Sequence, residues 1–280
     1  MLCARGEWGQ FPQNFIYEPK LDGTRALAVK QGDSIKLINR RGGDYADHFP
    51  EIVADLKLIE GDCTLDGEIC SKDFSTLAGR AHTADTFRIE LLSKFQPCVY
   101  HIFDILERNG ERLTGLPLIE RKEFLYAVGE REHIRIVKPQ PLEVLLEQVE
   151  RREIEGVVAK DPSSVYEFRR SPSWVKFRKE DCLDLPIIGY EDTDKPTRPF
   201  RSLILLKDGK EVQASSGLSE ADLRMLDEVF KGKPQRQVGT KRYFDEPVGI
   251  AEVKFYGRSP DIPYRFPRVE RFRFDKKIEV

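Results

Sequence analysis

The chain has 280 residues, enough for one large domain or two ordinary ones. Its charge is dense at 34% but nearly balanced, with a net of −2. The total therefore argues against a uniformly basic nucleic-acid binder, while local basic patches remain able to hold phosphates. Five cysteines (Cys3, Cys63, Cys70, Cys98 and Cys182) without CxxC spacing, and only four histidines, argue against a zinc centre and fit reduced thiols. The first residues lack the apolar core of a signal peptide, and no apolar run nears the roughly 20 residues that cross a bilayer. A soluble, cytoplasmic protein without membrane contact is the expectation.

Just past a strand-like stretch lies Glu18-Pro19-Lys20-Leu21-Asp22-Gly23-Thr24-Arg25. It sets a lysine, a carboxylate, a glycine and an arginine within six residues. A lysine amine beside a charged turn suits attack on a phosphate, provided the site holds it neutral; burial and nearby cations lower a lysine pKa. Residues 26–30 and 35–39 flank Gln31-Gly32-Asp33-Ser34 and read as a hairpin. Pro50 opens a helical pattern through Ile52, Val53, Leu56 and Ile59. Residues 65–69, around Asp66-Gly67-Glu68, and 99–106, turned at Asn109-Gly110, read as strands. Residues 117–128 and 141–152 read as helices; in the second, Leu142, Leu145, Leu146 and Val149 recur at i, i+3, i+4, i+7. Short strands return at 157–159 and 174–177. Mixed short strands and helices without regular alternation predict an α+β domain built on antiparallel sheets.

The pattern changes near residue 183. A strand at 183–190 precedes the proline-rich 195–199 loop; strands at 202–206 and 211–215 flank Lys207-Asp208-Gly209-Lys210. A helix at 219–230 is N-capped by Ser219, and strands follow at 248–255 and 268–274. About five strands and one helix suit a small closed β-barrel of the OB type. Two domains, 1–182 and 183–280, are expected. Residues 168–179 carry Arg169, Arg170, Lys176, Arg178 and Lys179 without an acid. The C-terminal stretch carries Arg258, Arg265, Arg268, Arg271, Arg273, Lys276 and Lys277 against Asp261, Glu270 and Asp275.

From Glu18 to Lys276 the chain resembles the covalent nucleotidyltransferase superfamily, and most closely its ATP-dependent DNA ligases. Six separated elements stand in the family's order: the Lys20 segment; Asn39-Arg40-Arg41; Asp66-Gly67-Glu68; Phe103 with Asp104-Ile105-Leu106; Glu155-Gly156-Val157-Val158-Ala159-Lys160 with Trp174-Val175-Lys176-Phe177-Arg178; and Arg273-Phe274-Asp275-Lys276. The resemblance implies an adenylation (nucleotidyltransferase) domain followed by an OB-fold barrel, and a minimal monomeric enzyme that seals 5′-phosphate/3′-hydroxyl nicks in duplex DNA. Its cofactors would be ATP and Mg²⁺, or Mn²⁺ in its place. Lys20, within the motif shared with Asp22, would attack the α-phosphate and hold AMP as a phosphoramidate.

Further roles follow from the same resemblance. Arg25 and Arg40 would hold phosphates, a task that suits arginine's planar fork. Glu68 and Glu155 would hold the metal. Phe103 would stack on adenine, and Glu18 would lie near the adenine edge. Lys160 and Lys176 would contact the α-phosphate and stabilise charge in transfer. Arg273, Asp275 and Lys276 would swing over the nucleotide and orient pyrophosphate. Arg40, Arg41, Arg169, Arg170, Arg178 and Lys179 would contact DNA phosphates. Arg178 stands where the family often has lysine. Only residues 232–243 offer a clamp around DNA, and they are few. An RNA ligase or a capping guanylyltransferase of the same superfamily, or a non-catalytic nucleic-acid-binding module, remain alternatives.

Overall fold

A computed structural model describes residues 1–72, 74–233, 235–256 and 264–276, without the side chains of residues 74 and 75. Arg258, Asp261 and Lys277 of the basic C-terminal stretch, and Pro234 of the 232–243 segment, lie outside the described residues. The chain divides into two compact units, Met1–Arg178 and Lys179–Val280.

In the first unit the elements run β1 (Leu2–Arg5), β2 (Ile16–Lys20), β3 (Thr24–Gln31), β4 (Ser34–Asn39), α1 (Pro50–Lys57), β5 (Cys63–Cys70), α2 (Phe74–Ala81), α3 (Thr86–Phe95), β6 (Val99–Arg108), β7 (Glu111–Arg112), α4 (Leu118–Val128), β8 (Ile134–Ile136), α5 (Leu142–Glu150), β9 (Gly156–Lys160) and β10 (Arg170–Arg178). They form two sheets. One has the order β1-β10-β9-β2; the other runs β4-β3-β5-β6-β7, with β8 alongside β6. Most pairs are antiparallel; β1 with β10 and β6 with β8 are parallel. The expected hairpin is β3–β4, and Pro50 does open α1. The larger core packs the six-stranded sheet against the helices through Phe49, Ile52, Leu56, Leu65, Ile102 and Leu125. A smaller cluster of Leu106, Leu118, Tyr166 and Trp174, with Phe103 and Leu27 against it, fills the gap between the sheets.

In the second unit β11 (Glu180–Glu191) leads to β12 (Ser202–Lys207), β13 (Lys210–Ala214), α6 (Glu220–Phe230), β14 (Gln235–Val238), β15 (Lys241–Phe244), β16 (Ile250–Tyr256) and β17 (Arg265–Phe272). The first half of β11 pairs with β16, and its second half pairs with β12 on one side and β15 on the other. One long strand thus turns a corner of the sheet. The curl runs on from β16 to β17, and Val269 donates its amide to Ser216 O at 3.0 Å, just beyond β13. Five strands follow one another round this ring, as small barrels require. The β14–β15 hairpin is additional; it is the 232–243 segment, and β14 is exposed along its length. Ser219 caps α6 in a reciprocal box with Asp222. Inside, Tyr190 stacks on Phe230 with centroids 5.2 Å apart among Phe200, Phe244 and Val253.

Candidate active site

Strand alternation places the chemistry. In the four-stranded sheet Ile16 lies opposite Lys160, Glu18 opposite Val158 and Lys20 opposite Gly156; Lys160 in turn lies opposite Trp174, Val158 opposite Lys176 and Gly156 opposite Arg178. Directly opposed residues share a face, and so do residues two apart on one strand. Glu18, Lys20, Lys160, Trp174, Lys176 and Arg178 therefore project from one face. The facing sheet pairs Arg25 with Glu68 and Leu27 with Asp66, which also gathers charge on one side.

Phe103 is aimed by an irregularity. Gly67 pairs with Ile102 and Asp66 with Asp104, so Phe103 is the extra residue of a β-bulge. A Cβ at Gly67 would lie 2.7 Å from His101 O and 2.5 Å from the Tyr100 ring, so glycine is required there. At Gly23, in the turn after Lys20, a Cβ would meet Ile69 O at 2.2 Å. Position 23 can carry no side chain.

Between the sheets lies a cleft of about 220 Å³. Of the residues singled out in the sequence, Glu18, Lys20, Arg25, Arg40, Glu68, Phe103, Lys160, Lys176 and Arg170 line it. Glu155 reaches it through Lys20, whose ammonium it contacts, and its backbone amide donates to Lys20 O at 3.0 Å. Arg178 Nη2 holds the other Glu155 oxygen at 2.5 Å. Arg40 follows Asn39, whose Oδ1 accepts from the amides of Arg41 and Gly43 at 2.8 and 3.0 Å and so fixes the turn. Asp22 is half-buried beside the cleft turn. Arg41 and Arg169 are exposed; Arg169 pairs with Glu167 at 2.6 Å, and Arg170 donates to Cys3 O. The acid-free run at 168–179 is thus partly answered by Glu167 and Glu155, which lie outside it.

Lys179, Arg273, Asp275 and Lys276 belong to the second unit. There Arg273 donates to Asp184 at 2.9 Å and to Asp275 at 2.7 Å, and Lys276 contacts Asp184.

The electrostatics divide the cleft. Glu18 is buried, with Lys122 against Oε1 and Lys160 at 2.6 Å from Oε2. Burial resists its charge, yet the two lysines outweigh burial and hold its carboxyl below the ordinary value. Burial lowers the Lys160 pKa despite Glu18; its ammonium lies 4.0 Å from the Trp174 ring and 4.7 Å from the Phe103 ring. Arg25 forms a two-point bond to buried Asp66 (2.9 and 2.5 Å), and Tyr166 donates to the same carboxylate at 2.7 Å. Glu68 differs: burial pushes its pKa up to about 7, Lys20 and Arg25 offsetting only part of that. Burial lowers Lys176, and the nearby cations Arg178 and Lys20 add to it.

Several residues in or behind the cleft carry roles that the motifs did not assign. Trp174 walls the cleft, Asp66 anchors Arg25, Tyr166 anchors Asp66, and Lys122 anchors Glu18. Lys122 leaves a trace in the sequence: with Leu118 and Leu125 it stands at i, i+4, i+7 on α4, a charged residue in an apolar stripe. No trio of His, Cys, Asp or Glu among the described residues forms a ready metal cage. All five cysteines are free thiols.

Two sheets enclosing a lysine, with a curled barrel as the second unit, define a nucleotidyltransferase fold of the adenylating kind. The model of the ATP dependent DNA ligase domain matches residues 8–178, more than half of the chain. The chain belongs to that family, the ATP-dependent DNA ligases of the nucleotidyltransferase superfamily. It is 29% identical to a DNA ligase of Methanosphaerula palustris over its whole length and 53% of that protein. It is 27% identical to the SPbeta prophage-derived DNA ligase-like protein LigB of Bacillus subtilis, over 93% of each chain. A solved structure of Lig E DNA ligases aligns with a TM-score of 0.70 at 18% identity, over 97% of this chain and 98% of that one. The ligase domain of M. tuberculosis LigD aligns at 0.55 and 22%, over 99% and 95%. The α+β adenylation fold and the OB-fold barrel expected from the sequence are the folds found. The chain spans about half the length of several DNA ligases it matches.

Proposed function

We propose that this chain seals nicks in duplex DNA with ATP, acting as a monomer through a lysyl-AMP and then a DNA-adenylate. The observation that carries the reading is the convergence of Glu18, Lys20, Arg25, Glu68, Phe103, Lys160 and Lys176, scattered over nearly 160 residues, on one cleft. The adenylation domain is the unit that holds this cleft, and the OB-fold domain is the unit that follows it.

Lys20 is the nucleophile. Its nitrogen bonds to the α-phosphorus of ATP, the bond from that phosphorus to the β-phosphate oxygen breaks, and pyrophosphate leaves with the electron pair. The ammonium sheds its proton first, and Glu155 is the carboxylate in contact with it. Lys176 and Lys160 supply positive charge near the phosphate as charge develops. Phe103 and Trp174 offer apolar walls to the base. AMP then passes to the nick's 5′-phosphate, and the 3′-hydroxyl displaces it. Arg40, Arg41, Arg169, Arg170, Arg178 and Lys179 hold DNA phosphates. Arg273, Asp275 and Lys276 orient pyrophosphate in the first step.

Mg²⁺, or Mn²⁺, fits the donor set. Glu68 offers a hard carboxylate in the cleft, and Mg²⁺ is ordinarily held by one or two carboxylates plus substrate phosphates rather than by a full protein cage. Glu155 is the second donor. Bound there, the metal neutralises phosphate charge and orients the leaving group.

The test is sealing of a nicked DNA duplex with ATP and Mg²⁺, beside a nicked RNA and beside labelling with GTP. DNA sealing with an ATP-derived covalent adduct is expected, and Lys20→Ala forms no adduct. An adduct on Lys20→Ala, or labelling by GTP alone, overturns the reading. DNA binding falls steeply between low and physiological salt as phosphate contacts release counterions.

A further inference from the structure

Deep in the cleft three charged side chains form one cluster, each no more than about 3% exposed. Glu18 comes from β2, Lys160 from β9 and Lys122 from α4. Lys122 is held twice: it contacts Glu18 Oε1 and donates to Val137 O at 3.0 Å. Val137 also lines the cleft, and its own amide is fixed to Ile102 O at 2.8 Å. The lysine thus ties the carboxylate to a rigid strand edge. Despite these contacts, Glu18 Oε1 and Lys160 Nζ are buried without a well-directed hydrogen bond. An ionised carboxylate has about four accepting sites, so with one lysine on each oxygen Glu18 keeps accepting capacity where it lines the cleft.

We infer that Lys122 is a positioning residue that sets base selectivity: it holds Glu18 as a fixed, charged acceptor that favours a 6-amino purine over a 6-oxo purine. The inference rests on the adenylate-binding reading of this cleft. A carboxylate accepts from an exocyclic amine and repels a carbonyl oxygen, and such pairing separates analogues because a mismatch leaves buried polar groups unpaired. Lys122 itself reaches no substrate; it acts through Glu18. Without it, burial of Glu18 is opposed by Lys160 alone, and the carboxyl is drawn toward its protonated form. A protonated carboxyl donates a hydrogen bond, which suits a 6-oxo group. Loss of Lys122 therefore weakens binding of the amine and improves, in relative terms, binding of the carbonyl.

The experiment measures equilibrium binding of AMP and IMP, which differ at this position, by quenching of tryptophan fluorescence. The full chain is first freed of bound adenylate with pyrophosphate. Wild type is expected to prefer AMP by about tenfold or more, as a hydrogen-bonding site with a buried charged acceptor does. Lys122→Met brings the ratio to within about threefold, Lys122→Arg keeps the wild-type ratio, and Glu18→Gln with Lys122→Met is no less selective than either change alone. Should Lys122→Met not fold, Lys122→Gln, which retains a donor for Val137 O, carries the same expectation. A folded Lys122→Met or Lys122→Gln that keeps the wild-type AMP:IMP ratio overturns the inference, because a purely structural lysine would alter melting and leave selectivity in place. Lysyl-AMP formation is followed in parallel. An adduct with an unchanged ratio removes the role of Lys122 alone; AMP preference lost at Lys122 with no adduct in wild type removes the ligase reading and leaves that role standing.

Discussion

The two ends of the cleft solve different problems with the same residue types. At the inner end Glu18, Lys122 and Lys160 are buried and mutually compensated, and next to them Arg121 and Asp104, both fully buried, make a two-point ion pair at 2.8 Å. At the outer end Lys20 and Glu155 retain 16% and 12% exposure, Arg178 retains 27%, and Glu68 has a raised pKa with no compensating anchor of this kind. A buried ion pair contributes little over an apolar equivalent, but removing one partner strands a charge. Lys122, Arg121 and Asp104 are therefore tied to folding and geometry, while Glu18 and Lys160 also face the cleft. Outer residues keep the water access and adjustable charge that the proposed phosphoryl transfer needs.

The largest effect that could break this division is at Asp104. Asp104→Ala leaves the Arg121 guanidinium buried with only carbonyl partners, Leu116 O and Ser164 O. The expected loss is about 3–5 kcal/mol of unfolding free energy by urea titration. Lys176→Ala, by contrast, removes a half-buried lysine at the outer end and should change stability by no more than about 0.5 kcal/mol while lowering the rate of adduct formation. Equal stability losses in the two variants would erase the distinction between the ends.

The Glu68 carboxyl gives the next, smaller effect. Its folded-state pKa of about 7 lies above the ordinary 4.5, so between those values the folded protein binds more protons than the unfolded chain. The Glu68 contribution is fully present below about pH 4.5 and is lost as pH rises through about 7. Glu68→Gln should flatten that part of the stability profile, and parallel slopes in the two proteins would contradict the burial of this group. The same titration governs metal binding in the proposed reaction: Mg²⁺ needs the ionised carboxylate, so its apparent affinity should rise through pH 7 in wild type and not in Glu68→Gln.

The difference between the ends also explains what the sequence could disclose. Lys20, Asp22, Gly23 and Arg25 are legible because they stand within six residues of one another around a turn, where Gly23 has no room for a side chain. The β3–β4 hairpin and the helices begun by Pro50, Pro117 and Pro141 are legible because their turns and caps are local. α3 is not, since Phe87, Leu91 and Phe95 point outward and only Ile89 is buried, the reverse of an apolar stripe facing the core. The β14–β15 hairpin hides for a related reason: β14 is exposed on both faces and shows no alternation. Short β1 and β8 depend on parallel partners far along the chain. The aim of Phe103 comes from a bulge against β5, and the Lys122–Glu18 contact joins residues over a hundred positions apart, so neither has a local signature.

The smallest expected effect tests whether the anchored charges of the cleft act as a network or a set of pairs. Tyr166 donates to Asp66 Oδ2 at 2.7 Å, and its oxygen accepts from Arg25 Nη2 at 3.2 Å, so one hydroxyl braces both members of the Arg25–Asp66 pair. Tyr166→Phe keeps the ring against Trp174 and removes only that oxygen. If the two-point bond between Arg25 and Asp66 suffices by itself, the loss is about 1 kcal/mol of stability, the net worth of one hydrogen bond, with adduct formation unchanged. If the hydroxyl holds Arg25 in place for a phosphate, adduct formation or transfer to the nick also falls, while Arg25→Lys, which lacks the fork, is no worse in the Tyr166→Phe background than alone. Because Arg25 also lies 5.5 Å from the Phe103 ring, the bracing account predicts coupling between Tyr166→Phe and Phe103→Leu in AMP affinity. Strict additivity of those two changes would show that the pairs act separately.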